Sequence, residues 1–227
     1  MTPVVLIPGM MCDARMWGGI EAMLGVPCIH HLPTEDDSIS ALAARFLTDA
    51  PPSFALAGLS MGGIVAMEIL RQAPDRVARL ALLDTNPRAE TAEAQTRRAP
   101  QIARALAGDL EGVMREDMKP NYLSPGPGMA AILDLCMDMA LTLGPQVFAR
   151  QSRALHDRPD QQAVLASFKG PALVLMGAED KLCPLDRHQQ MHSLMPQSRL
   201  HIIPGAAHLP PLEQPQATAH ALRDWLA

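Results

Sequence analysis

The chain has 227 residues, of which 48% are hydrophobic, and its formal net charge is −5. This length and composition predict one globular domain with a sizeable core and exclude a disordered chain. A mildly acidic chain without a basic run is not expected to bind nucleic acid or an anionic membrane surface. Its apolar runs are shorter than a membrane span, so we expect no membrane partner.

The N-terminus and the cysteines indicate a cytoplasmic protein. The opening residues MTPVVLIPG read as a strand and a turn rather than as a signal peptide. The four cysteines are widely spaced, without the close pairs of a zinc site or the pattern of a disulfide framework. Free thiols fit a reducing compartment, so we expect the protein in the cytoplasm.

Six short apolar runs, taken in chain order, predict β-strands. They cover residues 4–7, 28–32, 54–57, 80–83, 172–176 and 200–203. Most are continuously apolar, which is typical of strands that are buried on both faces. Helix-like segments lie between the strands at 39–48, 62–72, 185–195 and 217–225. This alternation predicts an α/β fold with a mostly parallel sheet and right-handed crossovers.

The region from 88 to 168 interrupts this alternation. It contains no convincing strand, but it has helix-like segments at 95–107, 129–143 and 146–156, with KPNYLSPGPG as a loop between them. Helical insertions of this kind often cover a ligand site, although a peripheral helical layer is the alternative. We therefore expect a core formed by 1–87 and 169–227, and a helical cap or lid at 88–168.

The segment FALAGLSMGG passes from the third predicted strand into a helix. Its Gly58-x-Ser60-x-Gly62-Gly63 pattern is that of a nucleophile elbow, which points a serine Oγ into the cleft above the sheet. Side chains at positions 58, 62 and 63 are expected to collide with neighbouring backbone. The alternative is an ordinary glycine-rich turn in which Ser60 caps the helix.

Partners for this serine follow the last two strands. LVLMGAEDKLCP places Asp180 after the fifth strand, and LHIIPGAAHLPPLEQP places His208 after the sixth. Functional side chains gather at the carboxyl ends of parallel strands, and the order Ser, Asp, His is that of α/β-hydrolases. We predict that Ser60 is the nucleophile, His208 the base and Asp180 the acid that orients it.

A second candidate for the acid is Asp84, which follows the fourth strand. The turn GAED and the proline after it favour Asp180, because they bend the chain back over the end of its strand. Asp84 leads through Thr85-Asn86-Pro87 into the cap region. There we expect it to hydrogen-bond its own turn and support a hinge.

Backbone N–H groups are expected to bind the oxyanion. One donor is the residue after the nucleophile, Met61. The other comes from the loop that Pro8-Gly9 opens, where Met10 is the favoured donor and Met11 the alternative.

These motifs resemble those of the α/β-hydrolase superfamily over nearly the whole chain. LIPGMMCDARMW, GLSMGG, LALLDTNP, LVLMGAEDKLCP and IPGAAHLPPLEQP occur in the order expected of that superfamily. The chain is most similar to small carboxylesterases related to the pimeloyl-carrier-protein methyl ester esterases, which implies a small-molecule ester substrate and no cofactor or metal. It departs in having Pro8-Gly9 where members often have His-Gly. It also has no residues for the leading hairpin, so we expect about six strands.

The predicted reaction is therefore hydrolysis of small to medium carboxylic esters through an acyl-enzyme. The same three residues would serve a thioesterase, lactonase, amidase or perhydrolase, and a hydrolase-like protein that only binds a small ligand is a further alternative. The sequence does not indicate an oligomeric state.

Composition also predicts the character of the substrate pocket. Fifteen methionines stand against seven aromatic residues, and flexible thioethers suit acyl groups of varied shape. We expect an apolar pocket that tolerates short and medium acyl chains and accepts charged substrates poorly. The candidate lining residues are Met10, Met11, Met61, Met118, Tyr122, Met129, Met137 and Met139.

Overall fold

The computed structural model describes residues 2–118, 122–126 and 128–227, and a parallel sheet lies at its centre. The six strands run in the order β2-β1-β3-β4-β5-β6, and all neighbours are parallel. They are β1 Val4–Ile7, β2 Cys28–His30, β3 Phe54–Leu59, β4 Val77–Leu83, β5 Ala172–Gly177 and β6 Arg199–Ile203. The predicted α/β fold with a parallel sheet of about six strands is confirmed.

The strand ends differ from the sequence-based bounds where pairing rather than hydrophobicity sets them. β4 begins at Val77, because Arg79 pairs with Ala55 although its side chain is polar. β2 ends at His30, since it is an edge strand that pairs only with β1 and Pro33 soon follows without an N–H to donate.

Ten α-helices are described, and the long ones agree with the predicted segments. They are α1 Glu21–Leu24, α2 Ile39–Asp49, α3 Met61–Gln72, α4 Ala92–Arg104, α5 Leu110–Gly112, α6 Met129–His156, α7 Gln162–Ser167, α8 Leu185–Leu194, α9 Pro210–Glu213 and α10 Pro215–Leu226. The sequence did not predict the shortest helices, because a single turn carries no hydrophobic periodicity.

Both faces of the sheet are buried at its central strands, β1, β3, β4 and β5, as their continuously apolar sequences predicted. Val5, Leu56 and Val174 belong to a core that includes residues of α2, α3 and α8. Their strand neighbours, such as Leu6 and Leu175, belong to a second core that includes residues of α1 and α10. Because side chains alternate along a strand, one apolar run supplies both layers.

The region 88–168 contains helices and no strand among its described residues. Two π-helical turns, Ala105–Asp109 and Val113–Met118, follow α4. α6 includes both predicted segments, 129–143 and 146–156, which meet where Gly144 leaves helical geometry (φ 81°) before Pro145. Part of the predicted KPNYLSPGPG loop, residues 119–121 and 127, lies outside the described residues. The role of this region as a lid stays a prediction.

Among the described helices, only α6 is long and apolar enough to cross a membrane, judged by length and composition. Core helices of globular proteins meet the same criterion, and the backbone break at Gly144 interrupts α6.

Close backbone approaches explain two glycines at the turn between β3 and α3. A Cβ at Gly62 would lie 2.1 Å from the carbonyl oxygen of Ile7, and one at Gly58 would lie 2.3 Å from that of Gly62. Position 63 is different, because a Cβ there would meet the side chain of Thr85 at 2.6 Å rather than backbone. The expected collision with backbone therefore holds at 58 and 62 but is wrong at 63.

We expect Gly62→Ala to lower the free energy of unfolding by about 3 kcal/mol or more, because the β1 backbone cannot move aside without breaking the sheet. Urea unfolding measures this change. Gly126→Ala is the matched control, since a Cβ there meets nothing within 4 Å. Equal stability of the two variants would contradict the close approach.

Candidate active site

Ser60 occupies the sharp turn between β3 and α3 in an uncommon backbone conformation. Its φ is 55° and its ψ is −117°, a strained combination for a residue with a side chain. Its N–H donates to the carbonyl of Leu83 (2.9 Å), and the Thr85 hydroxyl donates to its carbonyl (2.7 Å). The Ser60 side chain makes no capping hydrogen bond, so the interpretation as a simple helix cap is wrong.

The structure brings the three predicted side chains together in one hydrogen-bonded chain. His208 Nε2 lies 2.9 Å from Ser60 Oγ, and His208 Nδ1 lies 2.9 Å from Asp180 Oδ2. His208 and Asp180 are 4% and 5% exposed, so water competes little for these bonds. A proton on Nδ1, donated to Asp180, leaves Nε2 free to accept the hydroxyl proton of Ser60.

Asp180 is held as a carboxylate by the loop that follows β5. Its Oδ1 accepts the N–H groups of Leu182 (2.8 Å) and Cys183 (3.1 Å). Burial acts to raise the pKa of Asp180, but the charge and hydrogen bond of His208 and these two N–H groups lower it below its usual value. An ionised Asp180 can therefore orient His208 and balance its charge.

Asp84 is a completely buried carboxyl group next to Asp180. Its Oδ1 accepts the N–H of Gly177 (2.9 Å) at the end of β5, and its φ is 41°. Burial and the negative charge of Asp180 raise the pKa of Asp84 well above its usual value. The expected hydrogen bond to its own turn is wrong: the Asp84 carboxyl accepts from the end of β5 and so ties β4 to β5, and its raised pKa favours the protonated form.

The loop that carries His208 depends on two residues whose role the sequence did not predict. Glu213 of α9 accepts the N–H groups of Ala207 (3.0 Å) and Leu209 (2.9 Å), on either side of His208. The carbonyl of Tyr122 accepts the N–H of His208 (2.9 Å), and the two rings lie 5.8 Å apart. The Pro-Pro start of α9 before Glu213 was the one signal in the sequence that could have indicated its role. The contact of Tyr122 is made by a backbone carbonyl, which no residue type reveals.

The two candidate oxyanion donors in the first loop differ in their hydrogen bonding. Met11 has a φ of 56°, and its N–H donates to Oε1 of Gln151 (2.9 Å). The N–H groups of Met10 and Met61 form no hydrogen bond within the described part of the chain. The loop lies against the elbow, since a Cβ on Gly9 would stand 3.4 Å from that of Ser60. Of the two alternatives, only Met10 therefore has an unoccupied N–H.

Ser60 and His208 line a cavity of about 910 Å³. Of the predicted pocket residues, Met10, Met61, Met118 and Tyr122 line it. Met11, Met137 and Met139 are buried in the core and Met129 is 37% exposed, and none of these four is among the described lining residues. Five arginines also line the cavity: Arg97, Arg98, Arg104, Arg158 and Arg187. The expected apolar, methionine-lined pocket is not what lines this cavity, because residues of region 88–168, together with Arg187 of α8, contribute charged side chains.

Cys183 lies beside the hydrogen-bonded chain. One ligand atom each of Asp180, Cys183 and His208 falls within 4.8 Å of the others, a spacing that metal sites also have. Burial and nearby carboxylates raise the pKa of the Cys183 thiol well above its usual value, which favours the neutral thiol beside Asp180. Both ring nitrogens of His208 are already paired. Cys183 therefore fits a role in the cavity wall, and Asp180 and His208 fit a proton relay to Ser60, better than the three fit a metal centre.

The fold and this arrangement agree with what is found in known proteins. The sequence profile described as the Alpha/beta hydrolase family matches residues 4–221. The chain belongs to the alpha/beta hydrolase family.

Similar proteins within this family include esterases. A pimeloyl-[acyl-carrier protein] methyl ester esterase of Aromatoleum aromaticum is 25% identical over 252 residues, which cover 97% of this chain and 96% of the relative. Another, from Photobacterium profundum, is 28% identical over 197 residues, which cover 84% of this chain and 77% of the relative. The structure of a thermophilic esterase from Thermogutta terrifontis, with malate bound, superposes with a TM-score of 0.90 at 28% identity, covering all of this chain and 89% of that one. The predicted resemblance to esterases of this family is confirmed, and these relatives support ester hydrolysis.

We expect Asp84→Asn to change how stability depends on pH. In the wild type the folded state keeps the Asp84 proton, while the unfolded chain releases it near the ordinary aspartate pKa of 3.8. The contribution of this proton to the free energy of unfolding is therefore complete below that pH. It is lost as the pH rises toward the raised folded pKa, by up to about 1.4 kcal/mol per pH unit. The amide of the variant cannot ionise, so this loss should disappear.

Urea unfolding of both proteins between pH 5 and 8 measures the effect. The stability of Asp84→Asn relative to the wild type should rise with pH. A constant difference across this range would show that Asp84 is ionised in the folded protein.

Proposed function

We propose that this protein hydrolyses carboxylic esters through an acyl-enzyme formed on Ser60. The observation that carries the proposal is the hydrogen-bonded chain from Asp180 through His208 to Ser60, at the wall of a cavity. Serine hydrolases need this order of acid, base and nucleophile. The esterase relatives support the same reaction class.

Each step uses a group that the geometry supplies. His208 Nε2 takes the Ser60 proton as Oγ attacks the ester carbonyl, and Asp180 stabilises the charged imidazole. The N–H groups of Met61 and Met10 bind the oxyanion. His208 then gives its proton to the departing alcohol, and a water molecule, deprotonated by His208, releases the acid and restores Ser60.

The cap region contributes to this proposal by forming a wall of the cavity. Thr91, Ala94 and Gln101 from the start of the region line it together with Ser60, as does Leu155 near the end of α6. These contacts support residues 88–168 as a lid that excludes water from the acyl-enzyme. The same machinery would also serve thioesters, lactones or amides, but the activities for which the relatives are named favour esters.

The test is hydrolysis of p-nitrophenyl acetate and butyrate by purified variants. We expect Ser60→Ala to abolish turnover and Asp180→Asn to lower kcat by a factor on the order of 10⁴, because the base loses its orienting carboxylate. Asp84→Asn is the matched control, since an amide mimics the neutral acid beside Asp180, and it should stay within about tenfold of the wild type.

Two outcomes of that assay contradict the proposal in different ways. Absence of Ser60-dependent release on either ester would remove the esterase function. Severe loss in Asp84→Asn with an active Asp180→Asn would leave Ser60 and His208 in place but exchange the acid.

The oxyanion loop should depend on Gln151, a completely buried side chain of α6. Gln151 accepts the Met11 N–H and donates Nε2 to the carbonyl of Pro33 (3.0 Å). We expect Gln151→Met to lower kcat about a hundredfold with little change in KM. The variant cannot accept the Met11 N–H, so the neighbouring Met10 N–H is no longer held in the orientation that binds the oxyanion.

Arg150→Met is the matched control for this variant. Arg150 precedes Gln151 on α6 and donates to the carbonyl of Thr34 (2.7 Å), so it joins the same two segments without contacting the oxyanion loop. Steady-state kinetics should separate the two variants. Equal losses in both would assign Gln151 to general packing.

A further inference from the structure

A buried cluster of charges lies in the wall of the cavity that holds Ser60. Arg98 of α4 donates to Glu90 through Nε (3.2 Å) and through Nη2, and Arg158, which follows α6, contacts the other oxygen of Glu90 at 3.2 Å. All three side chains are largely buried: the exposed fraction is 15% for Arg98, 7% for Glu90 and 10% for Arg158. All three residues line the cavity. We call them the Arg–Glu–Arg cluster.

The cluster lacks one negative charge. Two guanidinium groups share a single carboxylate, and the buried Arg158 Nε has no hydrogen-bond partner in the described structure. Burial lowers the pKa of Arg158, as expected for a cation with too little counter-charge. A buried cation of this kind is costly unless an anion completes its surroundings.

The other arginines of the cavity already have acids of their own. Arg97 pairs with Glu93 (2.7 Å) and Arg187 with Asp186 (3.0 Å). Arg104 contacts three carboxylates, of Asp109 (2.6 Å), Glu116 (2.9 Å) and Asp117 (3.5 Å). The excess positive charge is therefore specific to the Arg–Glu–Arg cluster and is not a general property of the wall.

The cluster and two of the catalytic side chains line one cavity. Arg98, Glu90 and Arg158 form part of its wall together with Ser60 and His208. Cys183 and Tyr122 line the same cavity beside the catalytic side chains, since the backbone N–H of Cys183 donates to Asp180 and the Tyr122 ring lies 5.8 Å from that of His208. A small molecule in this cavity can therefore present one group to Ser60 and another to the cluster.

We propose that the substrates of this site are esters that carry a free carboxylate, and that this carboxylate binds the Arg–Glu–Arg cluster. The inference rests on the proposed esterase function and names its substrate class. Guanidinium groups pair with carboxylates through two parallel hydrogen bonds, and the unpartnered Arg158 Nε supplies a donor for such a pair. Hydrolysis adds one water to the ester bond and leaves the second carboxylate unchanged.

Matched esters test this proposal. Ethyl hydrogen adipate and ethyl hexanoate have the same chain length but differ in the terminal carboxylate on the acyl side. Butanoyl glycolate and ethyl butanoate make the same comparison on the alcohol side. We expect the wild type to have at least a tenfold higher kcat/KM for one or both charged esters, the size expected for a charge-assisted hydrogen bond.

Arg158→Gln and Arg98→Gln should remove this preference while leaving kcat/KM for the neutral esters within about threefold. Arg97→Gln is the control, because Arg97 lines the same cavity but pairs outward with the exposed Glu93. Two different arginine variants keep the test valid if one of them fails to fold. Preference for the neutral esters in the wild type, or equal losses on both kinds of ester, would overturn the proposal and leave the esterase function standing.

A binding measurement separates this inference from the reaction itself. Calorimetry of Ser60→Ala with ethyl hydrogen adipate and with ethyl hexanoate needs no turnover, and only the first of these esters carries a carboxylate. The charged ester should bind at least tenfold more tightly, and Arg158→Gln in the same background should abolish the difference. Binding of the charged ester without esterase activity in the wild type would contradict the proposed reaction but keep the anion site. Equal binding of the two esters would contradict the anion site alone.

Discussion

The site depends on how closely three backbone segments approach one another at the end of β3. Gly58 and Gly62 bring β3, the start of α3 and the end of β1 to distances that leave no room for a Cβ. This contact forces Ser60 into a strained conformation, and the hydrogen bonds from Thr85 and to Leu83 hold it there. Oγ is thereby fixed within hydrogen-bond distance of His208, which lies in the loop after the edge strand β6.

The two buried carboxyl groups at the ends of β4 and β5 differ in the direction of their pKa shifts. Asp180 gains enough hydrogen bonds from N–H groups and His208 to stay ionised despite its burial. Asp84 has one such bond, whereas its burial and its negative neighbour raise its pKa well above the usual value. Two like charges this close do not both ionise easily, so the raised pKa of Asp84 favours Asp180 as the carboxyl group that carries the charge.

Residues 88–168 contribute contacts to the site besides the cover proposed for them. Gln151 links α6 to the oxyanion loop and to the segment at Pro33, while Glu90, Arg98 and Arg158 place charge in the cavity wall. In the proposed reaction the same region would therefore affect both the stabilisation of the oxyanion and the choice of substrate. A shift of this region should affect turnover and specificity together.

The sequence alone determined the parallel α/β sheet and predicted which three side chains would meet, Ser60, Asp180 and His208, because buried strands, tight glycine turns and strand ends leave local signals. Only the tertiary structure decided that Met11 donates to Gln151, that Asp84 accepts from Gly177 of β5 and that Glu213 holds the His208 loop. It also replaced the expected methionine pocket with a charged wall. These contacts join residues far apart in the chain, and side-chain direction and burial, which set charge and hydrogen bonding, exist only once the layers have packed.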